Sequence, residues 1–165
     1  GRMGLYSPVS SVFWMRSAEA YLNKAEAEAC LGHDEEARKT VNHLRAYRYR
    51  TGAEDMEITS SGEDLIKDIR EERRRELAFE GHRWFDLRRY RVSPVCPERI
   101  SLTHDYTYYT DDLSDDITAC YRFVLEKDDP SWTLPIPFEV LQFNTGMEGN
   151  GNPFRQGVSV EKPKN

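Results

Sequence analysis

No catalytic signature is written into this 165-residue chain. G-x-S-x-G, H-E-x-x-H, the P-loop and G-x-G-x-x-G are all missing, so no nucleophile elbow, zinc helix or phosphate cradle is announced. The histidines (His33, His43, His82, His104) have no i,i+4 partner and no E-x-x-H neighbour. Any metal site would have to come from the fold alone, and hydrogen-bonded or solvated imidazoles are the expectation; no cofactor is expected. Cysteine is scarce. Cys30, Cys96 and Cys120 form no C-x-x-C and cannot all pair internally. Cys30 follows a helical pattern and reads as a small apolar core residue, while a Cys96–Cys120 bridge stays open for an exported protein. No apolar run nears the ~20 residues that cross a bilayer. The opening GRMGLYSPVSS has neither the apolar stretch nor the cleavage site of an export leader. A formal net charge of −6 speaks against a nucleic-acid surface.

What the chain does have is charge of both signs woven into apolar periodicity. From Glu71 to Tyr90 it reads EERRRELAFEGHRWFDLRRY. At helical spacing Ile66, Ile69, Leu77, Trp84 and Leu87 make a broken apolar stripe. Arg73, Glu76 and Glu80 are three and four apart and can pair along one side. Arg73 and Glu80 also fall in gaps of the stripe, where an unpartnered charge is costly. The expectation is one long helix over 61–90, clamped by buried Arg–carboxylate pairs. As a buried partner, Glu80 truncated to Ala would cost about 3 kcal/mol or more.

Upstream, Val12–Leu31 is a helix with Trp14, Ala18, Tyr21, Leu22, Ala25 and Ala29 at three- and four-residue steps, ended by Gly32. Asp34 is a candidate N-cap for a second helix that buries Ala37, Val41 and Leu44 and runs to about Arg50. Residues 12–50 thus form a helical hairpin of tetratricopeptide-like length. Ser60 with Glu63 makes a capping box ahead of the third helix. Past Tyr90 the pattern changes. Tyr106 and Tyr108, then Tyr121, Phe123 and Leu125, recur at period two and predict a β-hairpin joined by Thr110–Asp116. Leu134–Pro137 is held extended by its prolines, and Phe138–Phe143 is a short helix or turn. Trp14, Trp84 and Trp132 read as core.

Four blocks, in order, carry a resemblance. They are WMRSAEAYLNKAEAEACLG (Trp14–Gly32), EEARKTVNHLRAYRYR (Glu35–Arg50), IREERRRELAFEGHRWFDLRRY (Ile69–Tyr90) and WTLPIPFEVLQFNTGMEGNGNPF (Trp132–Phe154). Together they resemble the C-terminal portion of the SusD/RagB family of outer-membrane nutrient-binding lipoproteins. The resemblance implies a mostly α, tetratricopeptide-like helical array with a small β-hairpin and a loop-rich C-terminal segment (91–165) that includes the LPIP run. It implies a single domain over 1–165 that is a fragment of a longer protein, whose signal peptide and lipid-anchor cysteine lie outside this chain. It further implies a non-catalytic, surface-exposed outer-membrane lipoprotein of a Bacteroidetes-type bacterium. Such a protein captures oligosaccharide or another nutrient for a TonB-dependent, SusC-like transporter; it contacts the membrane only through its lipid anchor and binds no nucleic acid.

Within that frame Arg73, Glu76, Glu80, Arg83, Asp86 and Arg88 are expected to be a structural ion-pair network. Glu76 and Glu80 also invite a glycosidase reading, as two carboxylates a turn apart. Their neighbours Arg73, Arg74, Arg75 and Arg83 argue against it, because they hold carboxylates ionised where a general acid needs a raised pKa. Asp111, Asp112, Asp115 and Asp116 lack the register of a calcium loop and read as a solvated acidic turn. Tyr106, Tyr108 and Tyr109, beside Asp105 and Asp111, are the ligand-binding candidates, since sugars pack their C–H faces on exposed rings. The bland alternative is one face of a hairpin packed on the helices. A stand-alone helical-repeat adaptor is the rival function.

Overall fold

The computed structural model describes residues 16–111, 116–151 and 155–161. Expectations that fall on Val12–Met15, including Trp14, and on Asp112 and Asp115 lie outside the described residues. The chain divides into two compact units, residues 1–89 with 93–96, and residues 90–92 with 97–165.

In the first unit α1 (Ser17–Cys30) packs on both α2 (Asp34–Arg45) and α3 (Gly62–Glu76). Ala18, Leu22, Ala25 and Ala29 form the buried stripe of α1, and three alanines in it let the neighbouring helices approach closely. Leu22, Val41, Leu65, Ile66 and Ile69 are almost fully buried, each contributing about 1.5–3 kcal/mol by leaving water. The α1–α2 turn closes as a Schellman motif. Gly32 takes φ 79°, its N–H donates to Ala29 O at 3.0 Å, and His33 N–H donates to Glu28 O at 2.9 Å.

Asp34 does not cap its own helix. It is the first residue of α2, and its carboxylate accepts the N–H of Gly62, the first residue of α3, at 2.7 Å. One acid therefore satisfies an orphan donor of a different helix. The Ser60–Glu63 box does not form either: Ser61 is the N-cap of α3, and Ser60 Oγ donates to Asp68 Oδ2 at 2.6 Å. The loop before α3 is pinned by Asn42, whose amide donates to Ile58 O at 3.0 Å and accepts from Ile58 N–H at 2.9 Å.

The single helix expected over 61–90 is two. α3 stops at Glu76, and α4 (His82–Arg91) begins after a corner in which Phe79 and Gly81 adopt φ 64° and 81°. Glycine takes the left-handed region freely, whereas at Phe79 it costs on the order of 1–2 kcal/mol. Cys30, Cys96 and Cys120 are all free thiols. Cys30 is half-buried against the core, and that burial raises its thiol pKa.

In the second unit β1 (Leu102–Tyr109) and β2 (Ile117–Leu125) pair antiparallel, with Tyr106 opposite Tyr121 and Asp105 opposite Arg122. A bulge falls between Tyr108 and Tyr109. β3 (Val158–Ser159) adds to the free edge of β2, giving the order β1-β2-β3. Trp132, in a 3-10 turn begun by the Asp129 side chain, is buried; its indole N–H donates to Glu126 O at 2.8 Å and Arg91 lies over its ring at 4.7 Å. Asn150 brackets Pro135, donating to Leu134 O and accepting from Ile136 N–H, both at 2.9 Å. α5 (Phe138–Phe143) follows with no buried residue.

Gly157 lies flat against this sheet. A Cβ there would sit 2.8 Å from Phe123 Cζ and 2.9 Å from Tyr121 Cβ. Overpacking of this kind typically costs about 1–3 kcal/mol. Gly157→Ala is therefore expected to lift β3, and hydrogen exchange should show the Val160 amide, which donates to Cys120 O, losing protection while the β1–β2 amides keep theirs.

Candidate functional site

The charged residues of the first unit assemble around α1. Arg73, on α3, forks onto Asp86 of α4, its Nε lying 2.9 and 2.8 Å from the two carboxylate oxygens. Its other nitrogens reach Asn23 Oδ1 at 2.8 Å and Glu19 Oε1 at 3.6 Å on α1. Arg89 bridges onward, with Nε on Asp86 Oδ1 at 2.9 Å and Nη2 on Glu26 Oε2 at 2.5 Å. Arg70 closes the set through Glu26 Oε1 at 3.1 Å and the Cys96 carbonyl at 2.7 Å. Glu26, Arg70, Arg73 and Asp86 are all buried. Ionised carboxylates and guanidiniums tolerate burial only when paired and fully hydrogen-bonded, which this arrangement achieves.

A second cluster lies at the other flank of α3. Arg45 pairs with Glu72, both buried, and also binds the carbonyls of Met56 and Asp55. Arg48 grips Glu76 with two nitrogens at 2.9 Å, and Arg16 adds a third contact to that carboxylate at 2.5 Å. Hydrogen bonding from Arg48, reinforced by both guanidinium charges, holds the Glu76 carboxyl below the usual glutamate range.

The structure thus disperses the six residues expected to act together. Arg73 and Asp86 form a buried pair; Glu76 and Glu80 both pair with Arg16. Glu80 is exposed, beyond the end of α3, so the buried role and the cost of about 3 kcal/mol do not apply to it. An exposed pair is worth about 1 kcal/mol at most. Neither Arg83 nor Arg88 has an ion-pair partner among the described residues. The helix break explains the difference, since residues on opposite sides of a corner lose i,i+4 spacing. Glu19, Glu26, Arg45, Arg70, Glu72 and Arg89 were absent from the expected network. Glu26 had a signal: it sits on the apolar stripe beside Leu22, Ala25 and Ala29.

On the β-hairpin, Tyr106 and Tyr108 share one face and meet edge-on with ring centroids 4.8 Å apart; Tyr108 meets Tyr121 across the strands at 5.8 Å. Both Tyr106 and Tyr108 remain about half exposed, at 49% and 46%. Strand alternation puts Asp105 on the other face, where Arg122 grips it through two 2.7 Å contacts, while the bulge interrupts the alternation between Tyr108 and Tyr109. So Asp105 does not belong to the platform that Tyr106, Tyr108 and Tyr121 make. Asp111 and Asp116 flank the connecting turn, and among the described residues no group of three His, Cys, Asp or Glu is placed to hold a metal ion.

Residues 9–154 match the sequence profile of the SusD family. The chain belongs to the SusD family. It is 42% identical over 85 residues to the SusD-like protein P2 of Formosa agariphila, covering 47% of this chain and 16% of that protein. Its fold is similar to the crystal structure of a SusD-like protein from Bacteroides fragilis NCTC 9343, with TM-score 0.52 and 31% identity over 87% of this chain and 27% of the other. The matched stretches of this SusD-family chain thus cover 16% and 27% of the length of those relatives. The resemblance leads one to expect a mostly helical array with a small β-hairpin; the structure has both, and β3 extends the hairpin to a three-stranded antiparallel sheet.

Glu76 yields a pH test with a definite sign. Its lowered folded pKa means that its contribution is complete above the unfolded value, about 4.3, and is lost as pH falls through the lower folded value. Glu76→Gln is expected to flatten the acid limb of the stability–pH curve below about pH 4.5. Denaturation midpoints from pH 2 to 7 would check this, and parallel curves for the two proteins would contradict it.

Proposed function

We propose that this chain works within a longer SusD-type lipoprotein of the outer-membrane surface. That protein binds oligosaccharide or a related nutrient and delivers it to a TonB-dependent, SusC-like transporter, making and breaking no bond. The match to the SusD family over residues 9–154 carries the reading. The lowered pKa of Glu76 supports the non-catalytic part, because a glycosidase acid needs the opposite shift. The signature charges act as scaffold, fastening α1, α3 and α4.

The surface in this chain best suited to a sugar is the Tyr106–Tyr108–Tyr121 face. Half-exposed rings set edge-to-face offer an apolar floor with phenolic hydroxyls at its rim, matching the alternating C–H and O–H character of a pyranose. In the full-length protein, titration with its screened glycan is expected to weaken about tenfold for Tyr106→Ala or Tyr108→Ala, equivalent to about 1.4 kcal/mol. Unchanged affinity in both platform variants would remove this face from the binding site, and failure of the parent to bind any glycan would overturn the carbohydrate reading.

A further inference from the structure

The hairpin keeps its charge on one side. β1 and β2 each contain a single Asp, Glu, Lys or Arg, and these two residues, Asp105 and Arg122, pair at 2.7 Å on the face opposite the tyrosines. Over the regular register from Leu102↔Leu125 to Tyr108↔Ala119, the positions that alternate onto the tyrosine face hold no charged residue of those four types. His104 belongs to that face, two positions before Tyr106. It is exposed, and its ring stands 6.4 Å from that of Tyr106 at 62°. With Tyr106 and Tyr108 at 4.8 Å and 66°, three rings follow one another along one strand. At the rise of an extended chain His104 and Tyr108 are about 13 Å apart, more than the width of one sugar ring. Phe123, directly opposite His104, lays its ring against Gly157, where a Cβ would come within 2.8 Å of Cζ. That ring therefore turns toward the β3 side and leaves His104 uncovered. Tyr121, opposite Tyr106, backs the row through its contact with Tyr108 at 5.8 Å.

We propose that this row is a lane for a linear, uncharged oligosaccharide lying along β1, with His104 as the specificity-determining third ring. Each ring covers the face of one sugar, so a third ring in line has value only for a ligand with a third sugar to set on it. The charge pattern selects the class. A uronate or sulfated chain would meet no counter-ion on this face, and stripping water from its anions against apolar rings is costly. Neutral hydroxyls meet phenolic oxygens and imidazole nitrogens, which both donate and accept. The inference rests on the reading of the tyrosine face as the sugar site and narrows it to a chain length, a direction and a charge.

The test is calorimetric titration of the full-length protein at about pH 8, where an ordinary imidazole is neutral. The probes are neutral gluco-, manno- and xylo-oligosaccharides from disaccharide to pentasaccharide, with oligogalacturonates and sulfated galacto-oligosaccharides of the same lengths as charged counterparts. In at least one neutral series the parent is expected to bind the trisaccharide about tenfold more tightly than the disaccharide. His104→Ala should lose that step while keeping the parent's disaccharide affinity, and His104→Phe, which retains a ring, should restore it. Tyr106→Ala should weaken binding at every length. A step in His104→Ala equal to the parent's overturns the lane and leaves the tyrosine face standing as the site. Tighter binding of the charged series overturns the uncharged class. Tyr106→Ala and Tyr108→Ala that both bind as the parent does overturn the sugar reading of the face, and the lane with it.

Discussion

Everything in the helical unit depends on how the buried carboxylates of Glu26 and Asp86 are shared among three arginines. Asp86 is divided between Arg73 and Arg89, and Glu26 between Arg89 and Arg70. Taken with Glu19, three acids meet three arginines, so the set is neutral in sum and no charge is left to be desolvated alone. Such a set adds little net stability, because removing each ion from water costs several kcal/mol before any pairing is gained. Its force is geometric. Arg89 forks onto Glu26 with two nitrogens and Arg73 Nε spans both oxygens of Asp86; because Glu26 and Asp86 stand on different helices, only one placement of α1, α3 and α4 satisfies them all. The alanine stripe of α1 complements this by letting the helices come close enough for the arginines to reach across.

Local patterning reveals much of this and hides the rest. The α1 and α2 stripes, the glycine turn between them, the β-hairpin and the buried Trp132 follow from period, capping and turn chemistry that a single segment contains. What escapes is set by partners distant in sequence. Asp34 looks like the N-cap of its own helix, and instead serves Gly62, 28 residues on. The long charged helix reads as continuous because Leu77, Ala78 and Glu80 all favour helix; the corner is set by Phe79 and Gly81 turning left-handed. Once that corner exists, Glu80 moves to the surface and the buried acids are Glu26, Glu72 and Asp86. On the hairpin, period two groups Tyr106 with Tyr108, and the bulge after Tyr108 is the part that a single strand's pattern does not reveal.

Scaffold and proposed binding surface are thereby separated. The residues densest in the family signature, from Arg70 to Arg89, are committed to holding helices, and the acid most exposed to suspicion as a catalyst, Glu76, is gripped by two arginines. The half-exposed aromatic face belongs to the sheet, a unit whose own stability rests on different contacts, among them the Trp132 indole and the Asn150 bracket around Pro135. A division of this kind would let the proposed ligand-contacting face vary without disturbing the helical array, consistent with function residing in a site placed on a fold.

The central claim is that the signature charges are structural partners, and a double-mutant cycle on Arg73 and Asp86 tests it most directly. Unfolding free energies are measured for the parent protein, Arg73→Met, Asp86→Leu and the pair together. Each single change is expected to cost about 3–5 kcal/mol by stranding a buried charge, with a coupling of about 2 kcal/mol or more as the double variant regains stability. Single variants within about 0.5 kcal/mol of the parent, the range of ordinary surface changes, would contradict the account.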